Sequence, residues 1–578
     1  MAEAKGGAGG PRRPLFPKER SSDGNPIPTV LLIILAAVFV LPYIVQQFAP
    51  QRPAPPPPAQ PAAQPRPAEP APPPVPAKVA AAPPVAAGKE VTFDIDTSLY
   101  HLRLSNRGAV VQSWVLKKHK NSAGKPLELV NATAAQKAGY PFALLFKDRQ
   151  PSTDPNQALF VARPAPDKLG IDFEFSDGAS VVRKSFRFRR DEYLSQFSSE
   201  VMQAGAGLAH LVAWRGGFGD FAVLSPAASQ GSLYFDVPGG KLLTKDVKAA
   251  KNGPVTDYGT YSFAGLHDNY FAAVLLPAAG TPLEVRTLSD WVPSPRDPKK
   301  EEPHVGAAVG GGWRQQFRLF VGPKDVRLLR TIDPRLEQMV DWGWFGLLAK
   351  PLFWLLNLVS DGFLHNYGWS IMVVTIFINF ALLPLKLKSM KSMKRMQALQ
   401  PEIAAIQAKY KGLSMRDPRK AEQNQETMGL YKKHGVNPMG GCLPMLLQIP
   451  FFFAFYKVLM VAIEMRGAEW LWVRDLSQPE HLPIRLLPVA MVITQFVLQK
   501  MTPTTTADPM QQKMMLFLPL VFGFMFYQFQ SGLVLYWLTS NVVGIGQQWL
   551  INRTPPAVMV APPAPAKSKF RKGGKGKR

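Results

Sequence analysis

The sequence predicts a polytopic α-helical membrane protein that carries a large all-β domain outside the cytoplasm, and three observations carry that expectation. Apolar segments of roughly spanning length stand near the start and again in the C-terminal part. Between them lies a long stretch of short runs in which apolar and polar residues alternate. Lys and Arg crowd some of the loops between apolar segments and are outnumbered by acids in another. The 578 residues have a formal charge of +26 and a mean hydropathy of -0.04, an average that hides very polar and very apolar regions. Cys442 is the one cysteine, so no disulfide framework supports any domain.

In chain order, residues 1–27 read as a cytoplasmic N-terminus. The first apolar run, 28–48, follows Lys5, Arg12, Arg13, Lys18 and Arg20. It resembles a signal peptide, but it is longer than an h-region and no small-x-small site directly follows, which favours an uncleaved transmembrane anchor. Residues 49–88 form a Pro/Ala-rich linker: sixteen of these forty residues are proline, a composition that favours extended polyproline II and buries no core.

Residues 89–335 predict a β-sandwich. In IDFEFSDGASVVRKSFRFRR, Ile171, Phe173 and Phe175 alternate with Asp172 and Glu174, Asp177-Gly178 supplies a turn, and Phe186 and Phe188 resume the alternation. Residues 341–363, tryptophan-rich with Lys350-Pro351 in the middle, read as an interfacial amphipathic helix in preference to a span.

Five further apolar segments run approximately from Trp369 to Leu385, Cys442 to Ile463, Ile484 to Gln499, Met514 to Phe529 and Leu533 to Ile551. Leu385 to Gly440 holds twelve Lys/Arg against four Asp/Glu, and the 554–578 tail is basic with no acid. Glu464 to Leu482 holds four acids against two arginines. Lys/Arg-rich loops stay in the cytoplasm, so six transmembrane helices with both termini inside satisfy the parity and put the β domain outside.

No constellation for catalysis is present: the histidines are scattered, no metal-type His/Cys cluster or phosphate-binding glycine loop occurs, and the spans lack a clear mid-membrane carboxylate. The expectation is a protein that is not an enzyme and needs neither metal nor cofactor. The spans instead carry amides and hydroxyls at helical spacing: Thr375 with Asn379, Gln495 with Gln499, and the stripe Trp537, Asn541, Gly544, Gln548. These residues could hydrogen-bond neighbouring helices to each other, or converge on a wet cavity.

Residues 386–435 predict a cytoplasmic helical hairpin. Met390, Met393, Met396, Leu399, Ile403, Ile406 and Tyr410 step by three and four, and Gly412, then Gly435 and Asn437-Pro438, supply stops. The methionine stripe suits binding of varied apolar segments, or packs the two helices together. Lys386, Lys388 and Lys391 would supply positive potential where the chain leaves the membrane. The basic tail suits anionic phospholipids or ribosomal RNA.

The strings NPMGGCLPMLLQIPFFFAFYKVL, QKMTPTTTADPMQQKMMLFLPLVF and SGLVLYWLTSN together resemble the YidC membrane protein insertases of Gram-negative type. The resemblance implies a five-helix core at 366–553, an interfacial helix before it and a periplasmic β-supersandwich. It implies a function too: receiving hydrophobic segments of nascent membrane proteins in a polar groove and releasing them laterally into the inner membrane, alone or with the Sec translocon, and without nucleotide hydrolysis. Two positions depart from the family. Asn379 stands where members usually carry a groove arginine, and Trp537 follows LVLY where many have tyrosine. The competing readings are a secondary transporter for a small solute, disfavoured by the lack of an internal repeat, and a periplasmic binding module anchored by the spans.

Overall fold

A computed structural model describes residues 83–553 except 122–123, 148, 222–229, 294–298, 414–416, 437–442 and 503–508; of 443–447 and 509–515 only the backbone is described. The anchor at 28–48, most of the linker and the 554–578 tail lie outside the described residues. The linker's last residues are already stitched to the β domain, where Val85 bridges Ser176 and the Ala87 amide donates to the Leu159 carbonyl.

Among the described residues the β region is antiparallel and forms a four-stranded sheet and a fourteen-stranded one. Its alternation does what period two requires. Gly170–Ser176 pairs with Ser180–Arg187, with Phe173 opposite Lys184 and Ile171 opposite Phe186. Ile171, Phe173, Phe175 and Phe186 are buried, while Asp172 and Glu174 keep partial exposure. Gly178 turns the chain at φ +91, a conformation that glycine adopts without a steric penalty, and the Asp177 carboxylate accepts from the amides of Ala179 and Ser180. Within the core Phe186 meets Phe197 at 5.0 Å and Phe142 at 5.2 Å. Each such side chain contributes about 1.5–3 kcal/mol by leaving water. The long strand Val255–His267 joins two layers: residues 255–260 pair with Pro282–Pro293, and residues 261–267 pair with Gly231–Asp236.

The helices are α1 (Ala132–Ala138), α2 (Val326–Ile332), α3 (Gly346–Val359), α4 (Tyr367–Ala381), α5 (Leu383–Ala398), α6 (Gln400–Lys409), α7 (Arg419–Lys433), α8 (Leu443–Val461), α9 (Leu486–Met501), α10 (Pro509–Phe526) and α11 (Ser531–Arg553). Pro384 does not stop the chain helix: it sits in the first turn of α5, where its missing N–H is harmless, and α5 leaves α4 at 58°. Among the described residues, which exclude the anchor at 28–48, the five further crossings are not all found as long unbroken helices. By length and apolarity Gly346–Leu364 is the one described helix fit to cross, α4 with α5 makes a bent second, and Gln448–Val461, Leu486–Met501 and Leu516–Phe526 are shorter apolar helices.

Helix ends reveal direction. Asn366 caps α4 and its side-chain amide donates to the Glu469 carbonyl; Lys457, near the end of α8, bonds Asp341; the Leu487 amide at the start of α9 donates to Glu480; Arg485 donates to the Tyr527 carbonyl just past α10; and the Ser531 amide at the start of α11 donates to the Gln478 carbonyl. All of these ends lie with the β domain, so α4, α8, α9, α10 and α11 alternate in direction. The opposite ends gather Lys394, Lys500 and Arg553, the first donating to the Ile551 carbonyl at 2.5 Å. Both parts of α3 are tied to the segment that closes the β domain, Lys350 to Glu337 at 3.4 Å and Asp361, just beyond the helix, to Arg327 at 2.9 Å.

Candidate functional site

The polar side chains of the spans do not line one stripe; α11 distributes them to two neighbours. Toward α9 it presents Trp537, whose indole N–H donates to Gln495 Oε1 at 3.2 Å, and Asn541, whose amide donates to Thr494 Oγ1 and the Met491 carbonyl, both at 3.3 Å. Phe452, Phe522 and Phe526 enclose the Trp537 ring. Gly544 faces Leu498. Gln548 is buried and donates to Asn552 Oδ1 at 2.8 Å, leaving its own carbonyl oxygen without a partner among the described residues. Gln499, on the same helix as Gln495, is half-buried.

Toward α4 the same helix presents Ser540 and Gln547, which sequence reading missed. Asn379 is 4 % exposed and sits at the centre. Its amide donates to the Thr375 carbonyl at 2.9 Å and to Ser540 Oγ at 3.3 Å, and its backbone carbonyl accepts from Gln547 Nε2 at 3.3 Å. Gln448 of α8 donates to Ser540 Oγ at 3.1 Å. Thr375, grouped with Asn379 by spacing, is buried and spends its hydroxyl on the Ile371 carbonyl one turn back. A signal existed for the missed residues: Tyr536, Ser540 and Gln547 lie four and seven apart, a second polar face beside the one that was read.

Lys386 corrects a further expectation. It does not stand with Lys388 and Lys391 at the membrane exit, where those two are exposed. It turns inward across the bend, is 9 % exposed, and donates to Asn379 Oδ1 at 2.6 Å. Its position explains the difference: seven residues past Asn379 is two helical turns, so of the ladder it is the lysine nearest the amide on that face. No carboxylate pairs with it among the described residues.

Of the two readings of the methionine stripe, this structure has the packed one: Met393 and Met396 are buried and Met390 is half-buried, so no continuous exposed stripe exists. Met396, Leu399, Ile403 and Val436 form a small separate core with Leu430 and Tyr431 of α7. Gly412 (φ +85) and Gly435 (φ +62) provide the stops. No group of three or more His, Cys, Asp or Glu among the described residues could hold a metal ion.

Two family descriptions match the chain: the YidC periplasmic domain over residues 92–355 and the 60Kd inner membrane protein over residues 359–557. Among curated relatives, a membrane protein insertase YidC of Geobacter sp. (strain M21) is 37% identical over 493 residues, 81% of this chain and 86% of its own length. Another of the same name from Cupriavidus necator is 35% identical, over 82% and 85%. A solved structure titled as an active YidC insertase with its first transmembrane domain resolved overlaps 90% of this chain and 100% of its own, at 16% identity and a TM-score of 0.36, too low to bear on the fold.

Proposed function

The chain belongs to the YidC family of membrane protein insertases, and from that premise we propose how its residues pass a client into the bilayer. As an insertase it acts on nascent membrane proteins at the inner membrane, with the β domain on the periplasmic side; the solute-transporter alternative falls. The alternating helix ends, with acids beside the β domain and Lys394, Lys500 and Arg553 at the far side, support six crossings with both termini cytoplasmic, one of them the anchor at 28–48. Helix α3 then lies along the periplasmic interface. The ties of Lys350 and Asp361, roughly 16 Å apart along a helix at 1.5 Å per residue, run to one short extracytoplasmic segment, which a crossing helix could not reach from both.

The observation that carries the mechanism is the Asn379 cluster, which joins α4, α8 and α11 with Lys386 in the half of the bundle away from the β domain. Burying an unpaired polar group in hydrocarbon costs several kcal/mol, whereas a hydrogen bond between spans is worth about 0.6–2 kcal/mol. Side chains bonded to one another at rest can therefore trade partners with a client's polar flank at low cost. Thr375, Gln495, Gln499, Trp537 and Asn541 extend this polar path, while the client's apolar segment gains by entering lipid. Lys386 supplies the positive charge that Asn379 lacks, and Lys388 and Lys391 extend it to the cytoplasm. Met390, Met393 and Met396 receive the client only when the hairpin opens. The Sec translocon is a partner for some clients, and the basic tail engages the ribosome or anionic phospholipids.

Insertion of a client with an acidic N-terminal tail tests this reading in Lys386→Met, Asn379→Leu and Asn379→Arg. The methionine variant is expected to lose insertion of the acidic client more than of an uncharged-tail client, and the leucine variant to lose both. Adding Asn379→Arg to Lys386→Met should restore the acidic client. Full activity in both Lys386→Met and Asn379→Leu overturns the reading, as does the absence of photo-crosslinks from Thr375 and Trp537 to a stalled client while insertion proceeds.

A further inference from the structure

The loop between α8 and α9 enters the β domain with one side chain. Arg466 and Asp220 form an ion pair in which the two side chains are 4% and 3% exposed, joining the helical core to the β domain across 246 residues of sequence. The guanidinium also donates through Nε and Nη2 to the Lys120 carbonyl, at 3.2 and 2.9 Å. It lies 5.4 Å from the ring centroids of both Tyr270 and Phe271. The loop therefore packs its guanidinium against two adjacent rings of the β domain.

The socket is also held by contacts within the β domain itself. Asp220 is anchored through its amide to Asp268 Oδ2 at 3.3 Å, and Asp268 Oδ1 accepts from the amides of Tyr270 and Phe271 at 2.8 and 2.6 Å. Gly219 adopts φ +99, and a β-carbon there would collide with the Asp268 carboxylate. His119 packs edge-on against Phe271 at 5.3 Å, and burial, with the Arg466 charge second, pushes its pKa down to about 4. It is uncharged at neutral pH and does not oppose the guanidinium. Carbonyl, carboxylate and paired aromatic faces are the three surfaces a planar guanidinium satisfies at once, which an ammonium cannot.

We propose that Arg466 is a positioning residue: its insertion beside Asp220 latches the β domain to the α8–α9 loop and fixes that domain's angle over the five-helix core, so that it acts on insertion only through domain orientation. The latch is independent of the Asn379 cluster, and its main readout does not require insertion.

Hydrogen exchange on the full chain in lipid nanodiscs tests it, with Arg466→Gln, Asp220→Asn and the double variant. Each single change should speed exchange at least tenfold in both residues 462–477 and residues 268–271, while Ser180–Arg187 stays protected. The double variant should match the singles, since either change already opens the latch, and client insertion should fall equally in all three. Unchanged exchange in either segment overturns the proposal. So does general loss of protection in the β domain, which would make the pair a folding element, or loss of insertion in Arg466→Gln with exchange unaltered, which would make Arg466 a client contact.

Discussion

The β domain and the helical core are packed in opposite senses. In the β domain large apolar side chains go inward, and among its described residues only Val91, Val237, Tyr258, Trp291 and Trp313 remain exposed. In the core, Phe377, Phe380, Phe517, Val521 and Phe524 point outward while Thr375, Asn379, Ser540, Asn541, Gln547 and Gln548 are buried. The difference follows from the solvent. Water drives apolar groups together, whereas hydrocarbon leaves polar groups as the ones with most to gain from meeting.

Four tests would break or sharpen that contrast. Phe186→Ala empties the centre of the β core and should cost about 3–5 kcal/mol, read by urea-dependent proteolysis of the full chain; the helical region should keep its own resistance. A charge on the outward faces should separate the two parts next. Phe524→Asp, on a side chain 86% exposed, should cost about 2.5–3.5 kcal/mol if that face meets lipid, seen as loss of membrane-integrated protein. Tyr258→Asp, at 62% exposed in the β domain, should change stability by no more than about 0.5 kcal/mol.

The third concerns a buried cation in the β domain. Lys184 is 1% exposed, and its amine donates to the carbonyls of Gly108 and Phe142 at 2.7 Å and of Ala109 at 3.3 Å. Burial pushes its pKa down to about 7. The unfolded chain keeps this lysine near 10.4 and so binds the extra proton between those values. Stability should therefore rise with pH above 7, by at most about 1.4 kcal/mol per unit, with no slope from this group below the folded value. Denaturant midpoints at pH 6, 7 and 8 for the parent and Lys184→Met check the sign; the variant should lack this component of the slope. Within the helical core the smallest effect is expected from Gln495→Leu, which removes the acceptor of the Trp537 indole for about 0.6 kcal/mol, measurable as a shift in unfolding midpoint in micelles.

The sequence made the β hairpin at Ile171–Phe188 readable because period-two burial and an Asp-Gly turn are both local properties. It made the α4 polar pair readable for the same reason, since Thr375 and Asn379 lie one turn apart. Tertiary choices were less legible. Helix α11 carries polar residues around more than one face, and only its neighbours decide that Trp537 and Asn541 serve α9 while Ser540 and Gln547 serve α4. The lysines after Pro384 look alike as text, and the direction of a bend selects Lys386. Arg466 read as one cation in an acidic loop, because its socket is assembled from residues more than a hundred positions away.

The 58° bend between α4 and α5 has a mechanical consequence. Asn379 is fixed in the bundle, but the ammonium resting on it is mounted on the far side of the bend, on the arm that continues into the hairpin. The pair is therefore split like the contact of a relay: were the arm to swing, the ammonium would be drawn from its amide and both groups would lose that partner, so a tilt of the hairpin would be felt at Asn379.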